Sequence, residues 1–253
     1  MAPEILQFGS DLEAMQRLIG LPGRRIVDVA CGNGALAFAL AERGASVLGI
    51  ENDPRGAQVN RALGSFPRMT LVEGFAQNLP RNDGTVDCVI FAHRLSQTEA
   101  YEMDDCLAEA CRVLAENDGI LYVLERHTGG SYDDVVRLFH DESEERAWAL
   151  DALARMPRSF FASAREIHYG LKHKFPDFDS FVATLMAADD ISYAVEEVNT
   201  ADVRAWFEQG IIKGGGYEFE QVMRVDLYRT GAIPPSSPPV PPVPPVPAAP
   251  ASA

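Results

Sequence analysis

The sequence predicts an α/β fold: a mostly parallel sheet of seven strands, helices on both faces, and a helical insertion after the fifth strand. Three observations predict it. Short apolar runs alternate with helical patterns from Arg25 to Glu125, the order of successive βα units. A Gly-x-Gly turn, Gly32-Asn33-Gly34, joins the first such strand to the first such helix. From about Gly129 the alternation gives way to helical periodicity, and it resumes near Ile191.

The elements follow in order. Ser10 and Glu13 make a capping-box pattern ahead of Leu12, Met15, Leu18 and Ile19, which predicts a short opening helix packed beside the site. Strands are expected at Arg25 to Ala30 and Ser46 to Glu51, with helices at Ala35 to Arg43 and Pro54 to Leu63. Asp53 as cap and Pro54 at the first helical position mark the second of these helices. Further strands are expected at Met69 to Glu73, Val86 to Ala92 and Ile120 to Glu125, with a helix at about Gln97 to Leu114. Between Gly129 and Asp190 the apolar positions Val135, Val136, Leu138, Phe139, then Ala147, Leu150, Leu153, then Phe181, Val182, Leu185 read as a helical lid. A strand at Ile191 to Val198, a helix at Ala201 to Glu208 and a strand at Tyr217 to Tyr228 complete the pattern.

The expected organisation is a core over 1–128, the insertion over 129–190, sheet-completing strands over 191–232 and a proline-rich tail over 233–253. Ten of the seventeen prolines lie in that tail, in repeats of Pro-Pro-Val, and they predict an extended polyproline segment. It reads either as unstructured chain or as a ligand for a proline-binding partner.

The 253 residues, 47% hydrophobic and 23% charged, suffice for one sizeable core. A net charge of -15 argues against a nucleic-acid partner, because such binding draws its affinity from Lys and Arg. No apolar run reaches bilayer length and Met1 to Gly9 lacks a basic segment followed by an apolar one, so the expectation is a soluble, cytoplasmic protein without a membrane partner. Cys31, Cys88, Cys106 and Cys111 form no Cys-x-x-Cys pair and read as buried reduced thiols. The histidines match no metal-ligand spacing, and no metal is expected.

Taken alone, Gly32-Asn33-Gly34-Ala35-Leu36-Ala37 also fits a dinucleotide fingerprint, with Glu51 near the distance at which an acid grips a ribose. The neighbours separate the two readings. Asp28 stands four residues before Gly32, where a carboxylate suits a positive amino group and repels a pyrophosphate.

With that acid, Ile26 to Gly34 resembles the first motif of the class I S-adenosylmethionine-dependent methyltransferases, which have a Rossmann-like fold. Val72-Glu73-Gly74-Phe75-Ala76-Gln77 followed by Asn82 to Ile90 is similar to that family's adenine loop and fourth strand, and Leu107 to Leu114 with Gly119 to its approach to the fifth. The resemblance spans about residues 25 to 126 and rests on four motifs in order. It implies S-adenosylmethionine as cofactor, bordered by Asp28, Ala30, Cys31, Gly32 and Gly34, with Glu51 on both ribose hydroxyls and Asn52 beside it. Phe75, Ala76 and Gln77 would meet the adenine, and Phe91 and Ala92 would end the strand beneath it. Phe75 departs from the family, which often has an acid there; it either stacks on the base or fills space.

Methyl transfer is an in-line displacement, helped most by alignment and exclusion of water, and by a base only when the nucleophile loses a proton. His93, at the carboxyl end of the fourth strand of the βα series, is the first candidate base or else a helix-capping residue. Glu125, Arg126 and His127 end the next strand on that same edge and either meet the substrate, His127 being the second catalytic candidate, or are solvated loop charges. Phe160, Phe161, Phe175, Phe178 and Phe181 either line a substrate pocket or glue the insertion to the core, and Asp141 to Glu145 reads as a solvated helix start. The expected function is methyl transfer to a small-molecule substrate. A protein or RNA acceptor, and a non-catalytic cofactor-binding module, stand as alternatives.

Overall fold

The computed structural model describes residues 5–52, 66–187 and 193–231. Its eight strands are β1 (Ile5–Gln7), β2 (Arg25–Val29), β3 (Ser46–Glu51), β4 (Met69–Glu73), β5 (Cys88–Ala92), β6 (Ile120–Arg126), β7 (Phe161–Phe175) and β8 (Tyr217–Thr230). They form one sheet in the order β1-β7-β8-β6-β5-β2-β3-β4. β8 runs antiparallel to both β6 and β7, and every other pairing is parallel.

The helices are α1 (Asp11–Ile19), α2 (Ala35–Glu42), α3 (Met103–Val113), α4 (Ser131–Val136), α5 (Ser143–Arg155), α6 (Phe178–Met186), α7 (Val195–Val198) and α8 (Ala201–Phe207). The period-two alternation of the central strands divides the apolar side chains between two faces. Val27, Val29, Val89, Phe91, Leu121 and Val123 meet α3 and α5 on one side. On the other, Ile26, Ile90, Tyr122 and Leu124 meet α1 and α2. Asp28 lies in register with Ile26 on this second side, so the fold draws a carboxylate into an apolar layer.

α1 begins as its sequence implies: the Ser10 hydroxyl accepts from the Glu13 N–H at 3.1 Å. The return half of the box is shifted by one residue, since the Glu13 carboxylate accepts from Gly9 N at 2.8 Å.

Four expectations change. The sheet has eight strands where seven were expected, because the edge strand β1 pairs with β7. The span 129–190 is not wholly helical: the fifteen-residue β7 crosses it. Its local pattern hides it, since Ala162 to Glu166 carry little apolar surface, and pairing with β8 along nearly its whole length holds it extended. At Ile191 to Val198 a strand was expected; residues 191 and 192 lie outside the described residues, and Val195–Val198 is helical. Glu196 and Glu197 sit in that helix's first turn, Glu197 accepts from Ala194 N at 3.3 Å, and only Val198 is buried, which suits a helix start better than a strand. α3 begins at Met103 rather than near Gln97, because residues 97–102 fold as turns that bring the chain away from β5.

The helix expected at Pro54 to Leu63, its Asp53 cap and the proline-rich tail lie outside the described residues. Among the described residues no helix is long and apolar enough to cross a membrane.

Candidate functional site

Parallel strands point their carboxyl ends to one edge. β3 and β4 extend the sheet to one side of β2 while β5 and β6 extend it to the other, so the crevice at the ends of β2 and β5 is the topological switch point where open α/β sheets bind ligands.

The glycine turn lies there. Gly32 and Gly34 have φ of 55° and 80°, left-handed values that permit the chain to reverse within four residues and enter α2. Ala30, without that freedom, has φ 53°. The Asn33 carboxamide accepts from Ala35 N at 3.0 Å, closing the first turn.

Glu51, at the end of β3 and 6% exposed, accepts from Gly32 N at 2.6 Å, so it ties the glycine turn to the neighbouring strand. A ribose approaching the turn would meet this same carboxylate. Asn52 beside it is exposed. Cys31 is buried, and its sulfur turns toward β3: a Cβ built on Gly49 would stand 2.8 Å from it. The thiol therefore fills the space that Gly49 leaves.

Asp28 is 2% exposed, and its Oδ2 accepts no hydrogen bond among the described residues. Burial pushes its pKa up to about 7, against the favourable field of Arg94, with the Glu51 charge adding to the rise. A buried carboxylate oxygen without a donor beside a glycine cradle is what an ammonium group would complete.

Phe75 follows β4 and is 60% exposed. Filling space in the core is thereby ruled out, and its ring is open to a flat partner. Ala76 is half-buried against the first core and Gln77 is half-buried. Phe91 is fully buried in the core, so only its backbone faces the edge; Ala92 is half-buried.

His93 continues β5 through its N–H to Leu124 O at 2.8 Å and holds φ 58°, an uncommon conformation for a side chain of its size. Its Nε2 lies 3.5 Å from Asp11 Oδ2 at the start of α1, and Asp11 Oδ1 accepts from the Tyr169 hydroxyl at 2.5 Å. Burial would raise the Asp11 pKa, but the hydrogen bonds to His93 and Tyr169 outweigh it and lower it. Three elements thus hold one imidazole at the site edge.

Glu125 proves structural. It is 7% exposed and accepts from both the N–H and the hydroxyl of Ser96, at 3.0 and 2.8 Å, pinning the loop that carries His93 and Arg94 to β6. Burial is the main reason its pKa is raised. Arg126 pairs with Glu142 at 3.0 Å, and Glu142 also meets His140 at 3.0 Å and Arg146 at 3.6 Å. The acidic run expected to be solvated thus contributes its second member to a half-buried charge network.

His127 packs its ring on His168 at 4.6 Å. Burial, with the His168 charge next, lowers its pKa. It is not drawn into the Asp11–Tyr169 pair that holds His93. His168 and His173 have their own partners, Glu166 at 2.8 Å and Gln221 at 2.7 Å. Phe175, Phe178 and Phe181 form a separate buried cluster with Phe207 and Phe219, while Phe161 joins the core under α5. These rings are packing.

The sequence reading missed Asp11, Tyr169 and Arg94. Asp11 and Tyr169 are separated by most of the chain and only the sheet's far half brings them together. Arg94 lies just past β5, and its approach to Gly32 depends on the pairing of β5 with β2, which no stretch of sequence shows.

At the switch point of this open sheet a glycine turn, a buried acid before it and an acid ending the next strand thus come together. Residues 26–117, a little over a third of the chain, match the family model described as a methyltransferase domain. An uncharacterized methyltransferase of Synechocystis is 29% identical over 113 residues, covering 45% of this chain and 52% of the relative. A ubiquinone/menaquinone biosynthesis C-methyltransferase of Campylobacter jejuni is 33% identical over 146 residues, covering 51% of this chain and 60% of that protein. The chain thus spans between half and two thirds of the length of these curated relatives. A putative methyltransferase from Bacillus halodurans shares the fold at a TM-score of 0.57 and 18% identity, covering 87% of this chain and 99% of the other.

Proposed function

We propose that this protein transfers the methyl group of S-adenosylmethionine to a small molecule that gives up a proton in the reaction. The observation that carries the reading is the orphaned Oδ2 of buried Asp28 beside the Gly32-Asn33-Gly34 turn, with Glu51 and exposed Phe75 on the same edge. That set fits the amino group, ribose and adenine of one molecule. The cofactor supplies an electrophilic methyl on a sulfonium.

On this reading His93, oriented by Asp11, would take the acceptor's proton and the acceptor's electron pair would form the new bond to methyl, with the methyl–sulfur bond breaking and its electrons staying on sulfur as a neutral thioether. The acidic balance favours a small acceptor over RNA. The names of the Campylobacter relatives add a finer reading, in which the acceptor atom is carbon on a quinone precursor. Soluble, cytoplasmic action and a partner for the proline-rich tail belong to the same proposal.

Incubating the protein with methyl-labelled S-adenosylmethionine and a metabolite extract tests it. Label appearing in a low-molecular-weight product is expected. Label confined to protein or RNA would reverse the acceptor assignment, and no label in any product would leave a binding module.

A further inference from the structure

The amino ends of β2, β3 and β4 line a cavity of about 590 Å³ on the edge of the sheet opposite the glycine turn. β2 is five residues long, so the two edges stand roughly 16 Å apart. Three arginines line the cavity, Arg25, Arg68 and Arg81, and among the described residues no Asp or Glu does. In a chain of net charge -15 such a lining is a local reversal of sign.

The three arginines differ in what they hold. Arg25 is spent on Asp87 at 2.6 Å and the nearby Arg112 on Glu109 at 2.6 Å, whereas Arg68 and Arg81 make no ion pair among the described residues. Arg68 is nevertheless held in place. It has φ 65°, a left-handed value that a residue with a side chain seldom adopts, and its Nη1 donates to Gly44 O at 3.0 Å. Its other side-chain nitrogens have no partner among the described residues. Arg81 belongs to the loop between β4 and β5, and its carbonyl, accepting from Arg112 Nη1 at 3.0 Å, pins that loop. Two guanidiniums that line one cavity without a counterion repel each other, and an anion between them turns that repulsion into two attractions. Ser46 and Thr70, on the same face of adjacent strands, add two hydroxyls to the lining.

We propose that this cavity binds a phosphate-bearing small molecule whose phosphate is held by Arg68 and Arg81. A tetrahedral phosphate offers oxygens in several directions, so guanidiniums that arrive from different loops can share it. A carboxylate offers two oxygens in one plane and suits a single fork. The volume lies within the range of sites for small organic ligands and leaves room for a body beyond the phosphate. A long polyanion would meet the field of a chain of net charge -15, while inside the cavity, within a Debye length of about 8 Å, the two arginines prevail. The site lies apart from the glycine turn and does not depend on the cofactor reading.

Calorimetry with pyrophosphate, which has no adenine to enter the glycine-turn site, tests this on the full chain. Saturable binding is expected. Arg81→Ala and Arg68→Gln should each weaken it about 5- to 20-fold, the lower part of the range for charge-assisted hydrogen bonds because the rim is solvated. Arg81 is exposed in a loop, so its variant carries the test even where Arg68→Gln unfolds the protein. Arg165→Ala, which removes an exposed arginine on β7, should change the affinity less than about twofold. Succinate, a dianion without phosphate, should bind roughly tenfold more weakly than pyrophosphate. No saturable pyrophosphate binding by the folded protein overturns the proposal, as does binding that Arg81→Ala leaves unchanged or that Arg165→Ala weakens equally. Succinate binding as tightly as pyrophosphate overturns the phosphate assignment, and a short RNA that displaces pyrophosphate at lower concentration reassigns the cavity to nucleic acid.

Discussion

Replacing Asp28 by Asn tests the electrostatics of the site without requiring a substrate. In the folded protein the Asp28 carboxyl is held at about 7 against an ordinary 3.8, chiefly by burial. A group whose pKa is raised on folding contributes stability that is fully present below its unfolded value and is lost as pH rises through the folded one. At ~1.4 kcal/mol per pH unit, ionising Asp28 costs the folded state ~4 kcal/mol. Roughly 2 to 3 kcal/mol of this is lost between about pH 5 and about pH 8. Asn is nearly isosteric and does not titrate, so the melting temperature of Asp28→Asn relative to wild type should climb by about 5 to 10 °C over that range. Differential scanning calorimetry of both proteins at the two pH values measures it. Saturating S-adenosylhomocysteine should shrink the wild-type penalty, because its ammonium favours the ionised carboxylate. A melting difference that does not change with pH would refute the raised carboxyl and the reasoning built on it.

Three further outcomes are expected. Gly49→Ala places a Cβ 2.5 Å from a Leu71 methyl and 2.8 Å from Cys31 Sγ, which should destabilise the protein by about 1 to 3 kcal/mol in denaturant titrations. Adding Cys31→Ala should recover part of that loss. Phe75→Ala should weaken S-adenosylhomocysteine about three- to tenfold without lowering the melting temperature, as expected for an exposed ring that stacks on adenine. His93→Gln should lower labelled methyl transfer by about 10²- to 10⁴-fold while leaving S-adenosylhomocysteine affinity intact, with Asp11→Asn and Tyr169→Phe lowering transfer less. Transfer unaffected by His93→Gln would assign the proton to another group.

Much of the central fold was legible because each of its elements announces itself locally. Val and Ile runs, a glycine turn and capping residues define β2 to β6 within a few residues of their true ends. Two strands escaped for opposite reasons: β1 is three residues long, and β7 carries too few apolar side chains at its start to show a period. β7 owes its extension to β8, which comes more than forty residues later. In the site, Asp28, Gly32, Gly34 and Glu51 could be read because one turn and two adjacent strands place them. The role of Glu125 could not, since its partner Ser96 reaches it only through the pairing of β5 with β6.

The sequence by itself determined the βα alternation, the glycine turn at the end of β2 and the acids that flank it. These depend on local periodicity and backbone freedom, which a few consecutive residues carry. The tertiary structure alone decided that Asp28 is buried with an orphaned oxygen, that Arg94 lies over Gly32, and that Asp11 and Tyr169 together hold His93. Those facts arise from burial and from contacts between distant segments. No window of sequence contains them.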